Sequence, residues 1–334
     1  MATSKRIDWV DGVKGLAIVL VVYGHVAGGL DASGVLKPGS PFLAARDWVY
    51  LFHMPVFFLV SGLLAHRTID RPWRTFIDGR LRTIVYPYVL WTGIYLAAQV
   101  AMARFANNPP DFIRVGHFLW EPYGYGLWFL YCLFLISLAF YGLMRLKLPK
   151  SAILFVALAL HLAAWFNLFG FWTIFNTAML NLIFYVLGGL YAEQIFSFVK
   201  KKRSVVAIIA GILLLILMTL LHQALGSVDL PLALLFGLPG IAGLILLAQG
   251  LGRFAGWFTV LGFYSLEIYL GHPLFSIAAR AALGRCHIHN SLAYVLAGVS
   301  AGVLLSLGIA IICAKMEFPW LFRWPTAAKA KTES

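Results

Sequence analysis

Residues 205–225 read VVAIIAGILLLILMTLLHQAL, a run of 21 residues without Asp, Glu, Lys or Arg. A helix of about 20 apolar residues is long enough to cross the hydrocarbon core of a bilayer. The same character extends over the whole chain, because 61% of its 334 residues are hydrophobic and only 12% are charged. A soluble domain is about half apolar and about a quarter charged. The sequence therefore predicts an all-α, polytopic membrane helix bundle.

Charged residues and short segments rich in Pro, Gly or Asn divide the chain into about ten apolar runs. The predicted transmembrane spans are 13–30, 48–65, 84–103, 126–144, 152–169, 174–193, 205–225, 231–250, 256–280 and 291–314. We expect them to form one transmembrane domain, residues 1–322, followed by a polar cytoplasmic tail, residues 323–334.

The distribution of Lys and Arg predicts the orientation, since basic residues accumulate in cytoplasmic loops. With the amino terminus inside, 19 basic residues fall in cytoplasmic segments and 6 in outer segments, while Lys14 lies within the first span. This alternation predicts an even number of spans with both termini in the cytoplasm, and a first span that is retained rather than cleaved. The net charge of +13 is explained by topology, so no nucleic-acid partner is expected.

Two histidines inside predicted spans are candidates for catalysis, because ionisable residues in lipid are costly and face a bundle interior or a wet cavity. Asp11, Lys14 and His25 lie within about 40 degrees of one another on a helical wheel. His272 lies in the ninth span at a similar predicted depth, before Pro273, which we expect to kink the helix. An imidazole titrates near neutrality and suits a general base; the alternative is a histidine hydrogen-bonded between helices.

Five arginines between the second and third spans exceed what orientation requires: Arg67, Arg71, Arg74, Arg80 and Arg82. Guanidinium groups bind phosphates in bidentate geometry. The loop is therefore a candidate site for a phosphorylated donor such as coenzyme A, with lipid headgroups and topology as the alternative. The cysteines, Cys132, Cys286 and Cys313, form no CxxC pair, so neither a zinc site nor a disulfide framework is predicted, and no metal cofactor is expected.

Five short blocks follow one another over most of the chain: Arg6–Gly15 with Tyr23–His25; Phe52–Pro55 with Phe57–Gly62; Arg80–Arg82 with Tyr86–Tyr88; Leu127–Leu130; and Tyr264–His272. Together they resemble the membrane acyltransferase 3 family, in particular its fucose 4-O-acetylase-like branch. The resemblance implies O-acyl transfer, with acetyl from cytoplasmic acetyl-CoA moved to a hydroxyl of a cell-surface glycan or lipid-linked sugar. It also implies a location in the bacterial cytoplasmic (inner) membrane, in contact with membrane lipid.

The resemblance implies that His25 is essential, as a base or as the acyl carrier, and that Lys14 helps where many relatives have Arg. The paired arginines of the family correspond to Arg80 with Arg82, or to Arg71 with Arg74, which have the family's Arg-x-x-Arg spacing.

Four further residues are candidates for contact with the substrate: His53, Trp128, Tyr269 and Glu267. His53 could instead be an interfacial histidine, and Glu267 lies about 140 degrees from His272 on an ideal helix. A transporter or flippase is the rival function, because multispan bundles with intramembrane His and Glu often relay protons or ions. Transporters commonly contain paired repeats with interrupted helices, and the sequence contains no such pair.

We predict that a reporter fused after Ser334 will be cytoplasmic and that one inserted near Pro38 will be outside, because the charge alternation requires it. Green fluorescent protein and alkaline phosphatase fusions measure the two sides. A periplasmic carboxyl terminus would contradict the even number of spans.

Overall fold

The computed structural model of the chain describes residues 7–102, 127–199, 205–225, 233–251 and 256–324, and these ranges contain helices and no strand. In chain order the helices are α1 Asp8–Ala32, α2 Pro41–Tyr50, α3 His53–Ala65, α4 Trp73–Arg80, α5 Tyr86–Met102, α6 Trp128–Arg145, α7 Lys150–Trp165, α8 Thr173–Leu190, α9 Ala192–Val199, α10 Val205–Leu225, α11 Ala233–Leu251, α12 Gly256–Phe263, α13 Ser265–Arg285 and α14 Ser291–Lys315. A π-helical turn, Leu81–Val85, joins α4 to α5, and a short 3₁₀ turn, Pro319–Leu321, follows α14.

Eight helical stretches of the described chain are long and apolar enough to cross a membrane: Asp8–Ala32, Pro41–Ala65, Trp73–Ala101, Trp128–Arg145, Thr173–Leu190, Val205–Leu225, Leu234–Leu251 and Ser291–Lys315. The predicted all-α polytopic membrane bundle is thereby confirmed. The other two predicted spans differ in form. Span 152–169 corresponds to α7, which has 16 residues, and span 256–280 is divided between α12 and α13.

Two predicted spans that we expected to be continuous contain a break. Span 48–65 is divided into α2 and α3, because Phe52 leaves the helical region with φ −142° and ψ −18°. In the ninth span the break lies at Tyr264, with φ −97° and ψ 20°, whereas α13 continues through Pro273. A proline is tolerated inside a membrane helix where neighbouring groups accommodate the freed carbonyl.

A glycine crossing holds α12 against the first turns of α1. A Cβ at Gly15 would overlap the carbonyl of Phe258, and a Cβ at Gly262 would overlap the carbonyl of Asp11. Small residues let two membrane helices approach to backbone contact. The crossing fixes the position of the α12–α13 segment along α1.

A second glycine crossing joins α3 to α8. A Cβ at Gly62 would overlap the carbonyl of Tyr185, and a Cβ at Gly188 would overlap the carbonyl of Leu59. Packing therefore explains Gly62 in the Ser61-Gly62 pair.

The segment after α14 folds back onto the bundle. The hydroxyl of Tyr86 donates to the carbonyl of Trp320 at 2.7 Å, and Nε1 of Trp91 donates to the carbonyl of Leu321 at 2.8 Å. Arg323, which the sequence analysis assigns to the polar tail, pairs with Glu267 of α13. The rest of the predicted tail, residues 325–334, lies outside the described residues.

We predict that Gly62→Ala will lower the midpoint of thermal unfolding of the detergent-purified protein by several degrees, because its Cβ would displace the α8 backbone. The matched control is Gly142→Ala in α6, where a Cβ has no neighbour within 4 Å. Alanine at an open helical position is neutral or slightly stabilising. Equal midpoints for the two variants would contradict the crossing.

Candidate active site

His25 of α1 and His272 of α13 are in direct contact. Nε2 of His272 lies 2.9 Å from Nδ1 of His25, and the ring centroids are 4.9 Å apart. The Gly15–Gly262 crossing places the α12–α13 segment against α1. Two turns beyond His272, the guanidinium of Arg280 donates to the carbonyl of Gly29 at 2.7 Å. The two histidines that the sequence places at similar depth are therefore neighbours.

The hydrogen bonds of this pair assign the hydrogen on each neutral ring. Nδ1 of His272 lies 3.0 Å from the carbonyl oxygen of Ile268, and because a carbonyl only accepts, Nδ1 carries the hydrogen. Nε2 of His272 is then the acceptor, so Nδ1 of His25 donates to it. A lone pair is left on Nε2 of His25, which is the form required of a base or nucleophile.

A cavity of about 350 Å³, called here the histidine cavity, lies beside this pair. Its lining is His25, Tyr50, Leu51, His53, Met54, Pro55, Trp128, Leu180, Asn181 and Phe184. His53 is only 5% exposed, and its Nδ1 donates to the carbonyl of Val49 at 2.9 Å. Of the predicted substrate residues, His53 and Trp128 lie here.

A smaller cavity of about 200 Å³, called here the apolar cavity, is lined by a largely different set of residues. Its lining is Lys14, Ile18, Val21, Met54, Phe57, Val60, Ser61, Leu64, Thr83, Ile84, Phe129, Leu130, Leu133, Ser265, Leu266 and Tyr269. Met54 lines both cavities. The predicted cation Lys14 and the predicted substrate residue Tyr269 belong to this second cavity.

Lys14 lines the apolar cavity together with Thr83, which follows Arg82 in the chain, and the region of Lys14, Arg80 and Arg82 is called here the basic end. The amine of Lys14 lies 2.8 Å from the carboxylate of Asp11. Arg82 pairs with Asp78 at 2.8 Å, and both side chains are exposed. Arg82 and the cavity-lining Thr83 belong to the same π-helical turn. Arg82 is therefore one residue from the lining of the apolar cavity.

The other predicted arginines differ in their surroundings. Arg80 is half-buried, with its guanidinium over the ring of Phe76 at 4.9 Å. Arg71 and Arg74 are exposed. The carbonyl of Arg71 accepts hydrogen bonds from Arg145 at 2.7 Å and from Tyr141 at 3.0 Å. These bonds fix the backbone of the arginine loop against α6.

Glu267 belongs to the lining of neither cavity. It is 4% exposed, and its Oε1 lies 3.1 Å from Nη2 of Arg323. The sequence analysis groups Glu267 with substrate residues, whereas the structure places it on another face of α13, in contact with the carboxyl-terminal segment. His161 is buried between α7 and α8, with Nδ1 donating to the carbonyl of Leu180 at 2.7 Å.

The lining residues that were not predicted from the sequence include Tyr50, Asn181 and Phe184. Of these residues, Asn181 is the one that the sequence could have indicated, because an amide inside an apolar span is costly unless it has a polar partner or faces a cavity. In the described ranges, no group of three or more His, Cys, Asp or Glu is arranged to hold a metal ion.

Comparison with known proteins identifies the family of the chain. Residues 7–311 match the acyltransferase 3 family model, described as an acyltransferase domain. The inner membrane protein YcfT of Escherichia coli (strain K12) is 30% identical over 295 residues, which are 80% of this chain and 78% of that protein. The nodulation protein NolL of Sinorhizobium fredii (strain NBRC 101917 / NGR234) is 33% identical over 97 residues, which are 27% of this chain and 25% of that protein. No solved structure matches.

The relative in Escherichia coli and the apolar helices together confirm the prediction of a multi-pass integral protein of the inner membrane. The family model covers nearly all of the described helices, including those that carry both histidines and both cavities. This chain belongs to the acyltransferase 3 family.

Proposed function

We propose that this membrane acyltransferase moves acetyl from acetyl-CoA at its basic end to a hydroxyl group of a carbohydrate at the other end. The observation that carries the proposal is the position of His25. Its Nε2 lone pair belongs to a ring in the wall of the histidine cavity, and the apolar cavity adjoins that cavity at Met54. A base in the wall of one cavity, beside a second cavity that shares Met54 with it, fits the transfer of a group between two substrates.

The apolar cavity suits the acyl-bearing arm of coenzyme A. The arm is a narrow chain with two amide groups and a thioester, and the cavity offers the hydroxyls of Ser61 and Ser265 among apolar side chains. The nucleotide stays at the basic end, where its phosphates meet the ammonium of Lys14 and the guanidinium of Arg82. An ammonium has three donors, so Lys14 can bind a phosphate while keeping its bond to Asp11.

Two routes use the same lone pair of His25, and both stay open. In the first, the acceptor hydroxyl gives its proton to Nε2 while its oxygen attacks the thioester carbonyl carbon; the carbon–sulfur bond then breaks and the thiolate takes a proton. In the second, Nε2 attacks the thioester carbonyl carbon and the thiolate leaves; the acceptor oxygen then attacks the acyl-imidazolium, the carbon–nitrogen bond breaks, and the hydroxyl proton passes to the thiolate. Positive charge develops on His25 in both routes, and His272 stabilises it by accepting the Nδ1 hydrogen bond.

The histidine cavity suits a neutral sugar. Tyr50 and Trp128 provide aromatic faces, Asn181 provides an amide, and among the described residues no Asp, Glu, Lys or Arg belongs to the lining. Sugar rings combine apolar faces with hydroxyl edges, and aromatic side chains with a few polar groups bind such ligands. An acceptor from a surface glycan or a lipid-linked sugar agrees with the resemblance to the fucose 4-O-acetylase-like branch.

We predict that His25→Ala will abolish acetyl transfer, a loss of about a hundredfold or more, while the protein remains inserted and folded, because the lone pair is lost. Transfer of radiolabel from acetyl-CoA into the glycan fraction of membrane vesicles measures the rate, normalised to the monodisperse protein recovered. His161→Ala is the comparison, since His161 is buried outside both cavities. We expect it to reduce yield but to retain activity per folded molecule.

Two results would overturn the catalytic role of His25. One is a wild-type rate in purified His25→Ala. The other is an equal loss of activity in His25→Ala and His161→Ala because both variants fold poorly. This result would favour the rival function, a transporter or flippase.

We also predict that Arg80→Ala and Arg82→Ala will each raise the KM for acetyl-CoA by about tenfold. We expect little change in the midpoint of thermal unfolding. A phosphate contact is charge-assisted, whereas an exposed ion pair such as Arg82–Asp78 contributes little to stability. Arg285→Ala is the matched control, because Arg285 is exposed at the far end of α13. An unchanged KM for acetyl-CoA in both variants would contradict donor binding by the arginine loop and leave membrane orientation as the reason for its charge.

A further inference from the structure

His53 adds a second hydrogen-bond acceptor to the lining of the histidine cavity. Its Nδ1 lies 2.9 Å from the carbonyl oxygen of Val49, so Nδ1 carries the hydrogen and Nε2 of the neutral ring keeps a lone pair. Within the described ranges no hydrogen bond occupies this Nε2, and His53 is part of the cavity lining. The same reasoning leaves Nε2 of His25 with a lone pair in the same cavity.

Tyr50 holds the two imidazoles in a fixed relation. Its ring stacks on His53 with centroids 5.0 Å apart and planes 25° apart. Its hydroxyl donates to the carbonyl of Gly24 at 3.0 Å, and Gly24 directly precedes His25. A Cβ at Gly24 would also approach the Tyr50 ring at 2.5 Å, so the ring lies against the α1 backbone. The positions of the two acceptors are therefore set before a ligand binds.

Two lone pairs in one cavity cannot satisfy each other, because neither nitrogen has a hydrogen to donate. An acceptor that a bound ligand shields from water without replacing the lost hydrogen bond is unfavourable, so the complementary ligand supplies two donors. No carboxylate of the described ranges lies in the lining to balance a cationic donor, which favours hydroxyls over ammonium groups. Tyr50 and Trp128 also favour a ring with apolar faces.

We propose that the acceptor is a ring diol. The hydroxyl that is acylated donates to Nε2 of His25, while a neighbouring free hydroxyl on the same sugar ring donates to Nε2 of His53. This inference rests on the proposed function, since it specifies the acceptor class of that site. His53 binds the acceptor and takes no proton, so it determines specificity and leaves the reaction of His25 with the donor unchanged. A ring that lacks the second hydroxyl leaves a buried acceptor unpaired, which is an effective way to reject a ligand.

The test compares His53→Phe with His53→Gln. Phenylalanine keeps the ring and removes both nitrogens, whereas glutamine can place an amide oxygen near the position of Nε2. The probes are radiolabelled acetyl-CoA and the unacetylated glycan fraction purified from a deletion strain. We expect His53→Phe to raise the KM for the glycan about tenfold, the worth of one hydrogen bond. We expect the KM for acetyl-CoA to stay within about twofold, and His53→Gln to recover part of the loss.

His161→Phe is the control for the loss of a buried imidazole, because the side chain of His161 belongs to the lining of neither cavity. We expect its KM for the glycan to equal that of the wild type. The diol assignment would be overturned by an unchanged KM for the glycan in folded His53→Phe, or by an equal rise of that KM in the phenylalanine and glutamine variants. If His25→Ala is inactive in the same experiments, the proposed function still stands. An active His25→Ala would instead overturn the proposed function.

A second measurement needs no variant and covers the case in which His53→Phe does not fold. Two-dimensional NMR of the acetylated glycan locates the acetyl group on its ring. We expect a free hydroxyl on a carbon next to the acetylated one. Acetylation of a ring whose neighbouring positions are all substituted or deoxygenated would overturn the proposal.

Discussion

The hydrogen bond between His25 and His272 is the constraint on which the arrangement of the site depends. It joins two helices that are far apart in sequence, and its 2.9 Å length is possible because α12 and α1 meet at Gly15 and Gly262. The carbonyl of Ile268 fixes the hydrogen on His272, and His272 in turn fixes the hydrogen on His25. Backbone geometry thus determines which nitrogen of His25 is basic, without a carboxylate in the relay.

Apolar length and charge alternation were sufficient to predict the bundle, because the bilayer imposes the same requirement on every span. The breaks at Phe52 and Tyr264 could not be predicted in this way. Neither residue is a strong helix breaker, and the break at Tyr264 follows the close approach of Gly262 to α1, which is a tertiary contact. Pro273 carries the strongest local signal in that span, yet α13 continues through it.

The residues of the candidate site likewise fall into some that could be identified from the sequence and others that could not. His25, His272 and Lys14 could be selected from sequence because each is ionisable within an apolar run. Tyr50 and Asn181 could not, since their place in the histidine cavity depends on how α2, α3 and α8 pack. Glu267 has the same sequence signal as the histidines, but its partner is Arg323, 56 residues further along the chain. A buried polar residue therefore indicates that a partner exists without indicating which residue it is.

The contact of Arg323 with Glu267 also bears on biogenesis. Translation proceeds from the amino terminus, so α5 and α13 enter the membrane before the residues that pack on Trp91 and Glu267 have been synthesised. Until the ribosome completes the segment Pro319–Leu321 and Arg323, a nearly buried carboxylate lacks its guanidinium partner. The 3₁₀ turn and Arg323 thus complete the packing of α5 and α13 only after both helices have been made, which makes this contact a late step of assembly.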